Sequence, residues 1–341
     1  MRRATLRRGR LWRYNALPMS KPKILLTRRW PAEVQSYLAS RYEVTLNDRD
    51  VLPGPEELRA ALRSHDAVCP TVTDRLTADI LQAGAGKVRI IGNYGVGVSH
   101  IDVDACKRLG IVVTNTPDVL TEPTAEIALT LILMVARGAG AGEREIRNKT
   151  WAGWGPMRNL GALVTGRTLG LIGFGRIGQA TARMAHHGFG MRVIYFSRRR
   201  AAADIEAQTG ATQCASLDEL LAASDFISLH CPGGAANRHL IDARRLQQMK
   251  KTAFLINTAR GEVVDEEALA QALRSGTIAG AGLDVYEQEP RVPPELLTLE
   301  NVVLLPHLGS ATLETRTAMG MRVAKNLDSF FSGAAPPDRV A

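Results

Sequence analysis

The chain has 341 residues, 45% of them hydrophobic, enough for two domains with separate cores. Its formal charge of +9 would suggest nucleic acid if it were evenly spread, but six arginines (Arg2, Arg3, Arg7, Arg8, Arg10, Arg13) and no acid fall within residues 1–18. Setting those six aside leaves +3 of the +9, so no nucleic-acid partner is expected.

In chain order, residues 1–18 come first. Arg-rich and acid-poor, they read either as a targeting peptide or as a disordered extension upstream of a start at Met19, and the extension is the expectation. From Lys23, short apolar runs alternate with helical stretches, the pattern of βαβ units and a parallel sheet. Strands are expected at Lys23–Leu26, Ala67–Cys69, Val88–Gly92 and Ile111–Thr114, with helices at Pro55–Arg63, Thr77–Ala83 and Asp102–Leu109. A long helix, Pro123–Arg137, follows Thr121 and closes at Gly138; Pro123 suits a first turn, where its missing N–H costs nothing. Its faces are apolar nearly all round, so it must be buried between domains or against another subunit. At Ile127–Ala136 the apolar run is about half a membrane span, so no membrane association is expected. A second βα series gives strands at Thr168–Ile172, Arg192–Phe196, Phe226–His230, Ala253–Asn257, Ala279–Asp284 and Val302–Leu305, then a helix at Thr312–Phe331. The four cysteines (Cys69, Cys106, Cys214, Cys231) form no CxxC pair and no metal-ligand spacing. That points to reduced thiols in a cytoplasmic protein and to no metal.

The expected fold is therefore α/β, with two doubly wound parallel-sheet (Rossmann-like) domains. The larger, dinucleotide-binding domain (118–305) is inserted into a smaller substrate-binding domain (19–117 and 306–341).

Gly173-Phe174-Gly175-Arg176-Ile177-Gly178 follows a strand directly and opens a helix running through His187. GxGxxG alone is weak, but in this setting the three glycines serve a tight turn, close approach to a pyrophosphate, and helix–strand packing. The helix N-terminus adds free N–H groups for phosphate. About 20 residues on, an NAD site usually has an acid for the ribose 2′-hydroxyl. Here stand Ser197, Arg198, Arg199 and Arg200. A hydroxyl and guanidiniums suit a 2′-phosphate, so NADP, with NADPH preferred and NAD possible, is the expected cofactor. The alternative is a solvated basic loop.

Three polar residues end later strands of the same domain: Arg260 in Asn257-Thr258-Ala259-Arg260-Gly261, Glu289 before Pro290, and His307 in Leu305-Pro306-His307-Leu308-Gly309-Ser310. If a bound dinucleotide reduces a carbonyl that sits beside a carboxylate, the site needs a proton donor for the carbonyl oxygen and a grip on the carboxylate. Histidine suits the first, with a carboxylate partner to fix its tautomer, and the arginine fork suits the second. The catalytic candidates are thus His307, Glu289 and Arg260. Each alone is more often a surface charge or a structural side chain, and His230 also ends a strand.

The order Arg, Glu, His in these surroundings resembles the D-2-hydroxyacid dehydrogenase family, as do Gly95-Val96-Gly97-Val98, Thr116-Pro117-Asp118-Val119-Leu120-Thr121 and the GxGxxG. The likeness runs from about Lys23 to Phe331. Trp151, Trp154, Ser197-Arg198-Arg199 and Leu304–Thr312 are most similar to the glyoxylate/hydroxypyruvate reductases. Ser99 and His100 depart from it, standing where the family often has Asp and Asn. The resemblance implies NADPH-dependent reduction of glyoxylate to glycolate and hydroxypyruvate to D-glycerate. It implies that Val96 and Gly97 hold the substrate carboxylate with Arg260. It places Thr124, His230, Cys231, Pro232, Thr258, Ala259, Asp284 and Gly309, beside Gly173, Gly175, Arg176, Ile177 and Gly178, at the cofactor. It also implies a homodimer built on Pro123–Arg137, with Trp154 reaching the partner's substrate pocket. The alternatives are another family enzyme, such as a 2-ketogluconate reductase, and a dinucleotide-sensing corepressor whose tail contacts nucleic acid.

Overall fold

A computed structural model of the protein describes residues 20–341; the basic extension and its expected disorder lie outside the described residues. In the N-terminal part, β1 (Lys23–Leu26), β2 (Glu43–Leu46), β3 (Ala67–Cys69), β4 (Ile90–Gly92) and β5 (Val112–Thr114) form a parallel sheet in the order β2-β1-β3-β4-β5. The second sheet holds β6 (Thr168–Ile172), β7 (Arg192–Phe196), β8 (Ala211–Gln213), β9 (Phe226–Leu229), β10 (Phe254–Asn257), β11 (Gly280–Leu283) and β12 (Val302–Leu304). It is also parallel throughout, in the order β12-β11-β10-β9-β6-β7-β8. Both are doubly wound orders, with helices on the sheet faces. The central strands are near-continuous apolar runs because both their faces are covered, and β9, β10 and β11 are buried at every residue.

Two strands have no counterpart in the sequence reading, β2 and β8. Both are edge strands, short and partly exposed (Glu-Val-Thr-Leu and Ala-Thr-Gln), so neither carries the apolar run that marks an inner strand. Helix boundaries shift by one or two residues where a side chain caps the end. Asp102 and Thr312 accept hydrogen bonds from the N–H groups of Ala105 and Thr315, so they precede their helices rather than begin them. The long apolar helix spans Thr121–Ala136, which leaves Pro123 in its first turn. Thr124, Ala128, Leu131, Ile132 and Val135 are buried, whereas Ile127, Leu129, Leu133 and Met134 are half-exposed in the single chain.

The C-terminal helix Leu313–Phe331 returns to the first sheet, where Val323, Ala324 and Leu327 join the core of Ile24, Leu26 and Ile90. The last residues then cover the β5 edge: Val340 N–H donates to Val113 O (2.7 Å), and Val113 N–H to Ala341 O (3.1 Å). This closure is held by buried Asp338, which accepts two bonds from Arg322 (both 2.7 Å) and one from Asn326 (3.0 Å). Burial pushes the Asp338 carboxyl up, but Arg322 and Asn326 outweigh it and hold it below the usual range.

Asp338→Asn should therefore lower stability by about 2 kcal/mol in urea unfolding at pH 7, the scale of hydrogen bonds to a charged group. A depressed carboxylate stabilises above its unfolded pKa of about 3.9 and loses that contribution as pH falls through its lower folded value. The gap between wild type and variant should accordingly shrink below about pH 4; a gap that widens in acid would contradict the pairing.

Candidate active site

In each sheet the strand order reverses once, between β1 and β3 and between β6 and β9, and such crevices at strand C-termini are where open α/β sheets bind ligands. A cleft of about 860 Å3 joins these regions. From the first sheet it is lined by Trp30, Thr71–Thr73 and Tyr94–Ser99, and from the second by Thr124, Ile177, His230–Gly234, Thr258–Arg260, Asp284, Glu289, His307 and Gly309.

The cofactor side begins at Gly173, which turns with φ 92° directly against the segment after β9. A side chain there would put its Cβ 2.7 Å from His230 O and Cys231 N. Nothing approaches Gly175, so the N-terminus of helix Arg176–Phe189 faces open space. Burial lowers the His230 pKa to about 4, keeping the ring neutral beside Ser228 (2.9 Å), and raises the Cys231 thiol to about 11. Buried Thr258 Oγ1 has no protein partner among the described residues, an orphan that a ligand in the cleft would satisfy. The Arg176 side chain turns to Asp118, between β5 and the helix Thr121–Ala136 (2.7 Å). Beyond β7, a separate cavity of about 580 Å3 is lined by Ser197, Arg198 and Arg199. Arg200 is engaged elsewhere, with Glu206 (2.9 Å), and Glu206 also accepts from Tyr195 OH (2.7 Å). Glycine turn, open helix end, orphan hydroxyl and basic pocket together fit a dinucleotide.

Across the cleft, His307 Nδ1 lies 2.8 Å from Glu289 Oε2, and its Nε2 has no partner among the described residues. Burial alone would raise the Glu289 pKa; the His307 bond and charge, Tyr286 N–H and Arg260 outweigh it and hold the carboxyl ionised, below its usual range. An ionised Glu289 accepts only, so Nδ1 carries the proton of that bond. His307 has φ 56°, a left-handed conformation that costs a non-glycine residue energy. Buried Asp284 holds it there, accepting the N–H groups of Leu308 (2.6 Å) and Gly309 (2.8 Å), while Thr124 Oγ1 donates to Gly309 O (3.0 Å).

Arg260 reaches from the second sheet to the first. A Cβ on Gly97 would fall 1.9 Å from one of its guanidinium nitrogens, so any side chain there would push the guanidinium out of this position. In the loop it touches, every carbonyl is tied back: Gly95 O to Thr116 N–H (3.0 Å), Val96 O to Asn115 (2.9 Å) and Gly97 O to Asn93 (3.0 Å). The Val96 and Gly97 N–H groups have no partner among the described residues. Free amides, a guanidinium and an imidazole on one cleft form a receptor for a carboxylate beside a carbonyl.

The comparisons with known proteins agree. Residues 129–309 match the model of the D-isomer specific 2-hydroxyacid dehydrogenase NAD-binding domain. The glyoxylate reductase of Thermococcus onnurineus is 44% identical over 94% of this chain and 96% of its own. The chain belongs to the D-2-hydroxyacid dehydrogenase family. A solved family structure from Polaromonas superposes with a TM-score of 0.87 at 35% identity, covering 94% of this chain and all of that one. The NADPH-dependent glyoxylate/hydroxypyruvate reductase of Sinorhizobium meliloti superposes at 0.81 with 36% identity, covering 94% and 98%.

The dehydrogenase thus gathers Arg260, Glu289, His307, Val96 and Gly97 on one cleft, with Thr124, Ile177, His230, Cys231, Pro232, Thr258, Ala259, Asp284 and Gly309 beside them. Trp154 is not brought to its own chain's cleft; it is 85% exposed. The sequence reading passed over Asn93 and Asn115, although each directly follows the last residue of a strand, a place where a side-chain amide commonly braces a turn.

Gly97→Ala should leave the dehydrogenase folded yet cut kcat/KM for a 2-keto acid on the order of 100-fold, the scale of an ångström-sized misplacement. A variant with wild-type kcat/KM and an unchanged melting temperature would show that Arg260 and the loop need not touch.

Proposed function

We propose that this dehydrogenase is an NADPH-preferring reductase of small 2-keto acids, converting glyoxylate to glycolate and hydroxypyruvate to D-glycerate. The observation that carries it is the convergence of the Glu289-bonded His307, Arg260 and the free Val96 and Gly97 amides on one cleft. In this reading the two amides and the Arg260 fork hold the substrate carboxylate, and Arg260 also polarises the keto oxygen. His307 delivers the proton to that oxygen from Nε2, while Glu289 fixes the tautomer and stabilises the imidazolium. The Gly173–Gly178 turn and the helix end behind it would hold the pyrophosphate of a nicotinamide dinucleotide, which when bound would supply the hydride for the carbonyl carbon. Asp284 keeps His307 in place and offers further lone pairs to the nicotinamide carboxamide.

NADPH preference rests on the Ser197–Arg199 cavity, which offers a hydroxyl and two guanidiniums and no carboxylate. Because Arg200 is held by Glu206, Arg198 and Arg199 are the cations for a 2′-phosphate. The name of the Sinorhizobium meliloti neighbour points the same way, as do the names of the curated relatives for glyoxylate.

A homodimer belongs to the same reading. The half-exposed Ile127, Leu129, Leu133 and Met134 continue into Ile146, Trp151, Trp154, Met157, Leu160 and Leu163, all exposed. So long an apolar stretch suits a second copy of the chain, with Trp154 entering the partner's pocket and limiting substrate size. The tail and the surface are assigned no nucleic-acid or membrane partner, and the four free thiols suit a reducing, cytoplasmic setting.

Initial rates at 340 nm with NADPH or NADH against glyoxylate, hydroxypyruvate and 2-ketogluconate test the reading. Fast NADPH oxidation with the two small acids is expected, and the double change Arg198→Ala with Arg199→Ala should raise KM for NADPH far more than for NADH, while Arg200→Ala changes the ratio little. Faster turnover with NADH would overturn the cofactor assignment, and no turnover of either small acid would overturn the reaction. Sedimentation should give a dimer for the wild type and a monomer for Trp154→Asp with Leu160→Asp; a wild-type monomer would remove the subunit contact.

A further inference from the structure

Asn93 directly follows β4 and is fully buried beneath the Gly95–Gly97 loop. Its amide nitrogen has two protons and both are used, one on Gly95 O (2.9 Å) and one on Gly97 O (3.0 Å). Its Oδ1 lies 2.9 Å from His100 Nε2. A carboxamide oxygen only accepts, so Nε2 must be the protonated ring nitrogen. Burial, together with the Arg260 charge, lowers the His100 pKa to about 3, so the ring stays a neutral, one-proton donor over the working range of an enzyme. His100 does not line the cleft, and among the described residues its one side-chain hydrogen bond is the one to Asn93.

We infer that His100 is a positioning residue for the substrate carboxylate, orienting the Asn93 amide so that the Gly95–Gly97 carbonyls stay tied back and the Val96 and Gly97 N–H groups face the cleft. This rests on the carboxylate site proposed above. A carboxamide can rotate by half a turn with little change in shape. In the rotated form Oδ1 would face two carbonyl oxygens, all acceptors, and the loop would have to release them. The two carbonyls and a donor on the far side of Asn93 together select the productive orientation, and His100 is that donor. This gives a role to a position at which the chain departs from the Asp-Asn common in its family.

The test compares His100→Ala, His100→Gln and Asn93→Ala with the wild type in three readouts: KM for glyoxylate, KM for NADPH, and the affinity of the NADPH complex for oxalate by calorimetry. His100→Ala and Asn93→Ala should raise the glyoxylate KM and the oxalate Kd on the order of tenfold, the loss of about one hydrogen bond, with kcat less affected and KM for NADPH unchanged. His100→Gln, whose amide N–H can replace Nε2–H, should recover most of the loss. Oxalate binding needs no turnover, so a wild type that binds oxalate but does not reduce glyoxylate would overturn the proposed reaction and leave the positioning role testable. Unchanged glyoxylate KM and oxalate Kd in His100→Ala would overturn the inference. So would equal weakening of NADPH, or a His100→Gln variant no better than alanine at equal melting temperature.

Discussion

A cation is held between the two sheets with no carboxylate of the described residues bonded to it, and the architecture of the cleft follows from that. Among the described residues the Arg260 guanidinium makes one side-chain hydrogen bond, to Ala259 O (2.7 Å), and presses on Gly97 across the cleft, with Glu289 and Glu262 acting on it as nearby charges. Placing a charge in a low-dielectric site without full hydrogen bonding is costly. In the proposed reading a substrate carboxylate would complete it, accepting from the fork on one side and from the free Val96 and Gly97 amides on the other. The binding site is thus an unsatisfied electrostatic demand that both sheets maintain together.

The topology places that demand correctly. Each sheet reverses its strand order once, and each reversal opens a crevice at strand C-termini. Gly173 and His230 meet at the crevice of the larger sheet, while Trp30 and Thr71–Thr73 border that of the smaller. The C-terminal helix and the Asp338 clasp tie the end of the chain back onto the first sheet, so the second sheet is tethered by two crossings rather than one. Within this frame, His307 has a left-handed backbone, as Asp118 and His239 also do, and both oxygens of Asp284 stabilise it by accepting the next two N–H groups. One carboxylate so fixes the backbone beside His307 and also lines the cleft, joining the residues proposed for the two halves of the reaction.

Much of this was legible in the sequence. Inner strands such as Thr168–Ile172 carry unmistakable apolar runs, and the glycine turn follows one of them directly, so both fold and cofactor class could be read. His307, Glu289 and Arg260 were legible as a set because each follows the C-terminal end of a strand of one sheet. The edge strands Glu43–Leu46 and Ala211–Gln213 were not, since solvent on their open side removes the pattern that marks a strand. Nor were Asn93 and His100: their meaning lies in a bond between side chains seven residues apart, set by how the chain turns after β4. The engagement of Arg200 by Glu206, which separates it from Arg198 and Arg199, likewise needed coordinates.

The most direct measurement is a crystal structure of the protein with NADP and oxalate, an unreactive stand-in for a 2-keto acid. The expected result is one oxalate carboxylate on the Val96 and Gly97 amides and the Arg260 fork, an oxygen of the other carboxylate within hydrogen-bond reach of His307 Nε2, and the adenosine 2′-phosphate between Ser197, Arg198 and Arg199. Oxalate anchored away from Arg260, or a 2′-phosphate turned from that basic loop into solvent, would contradict it.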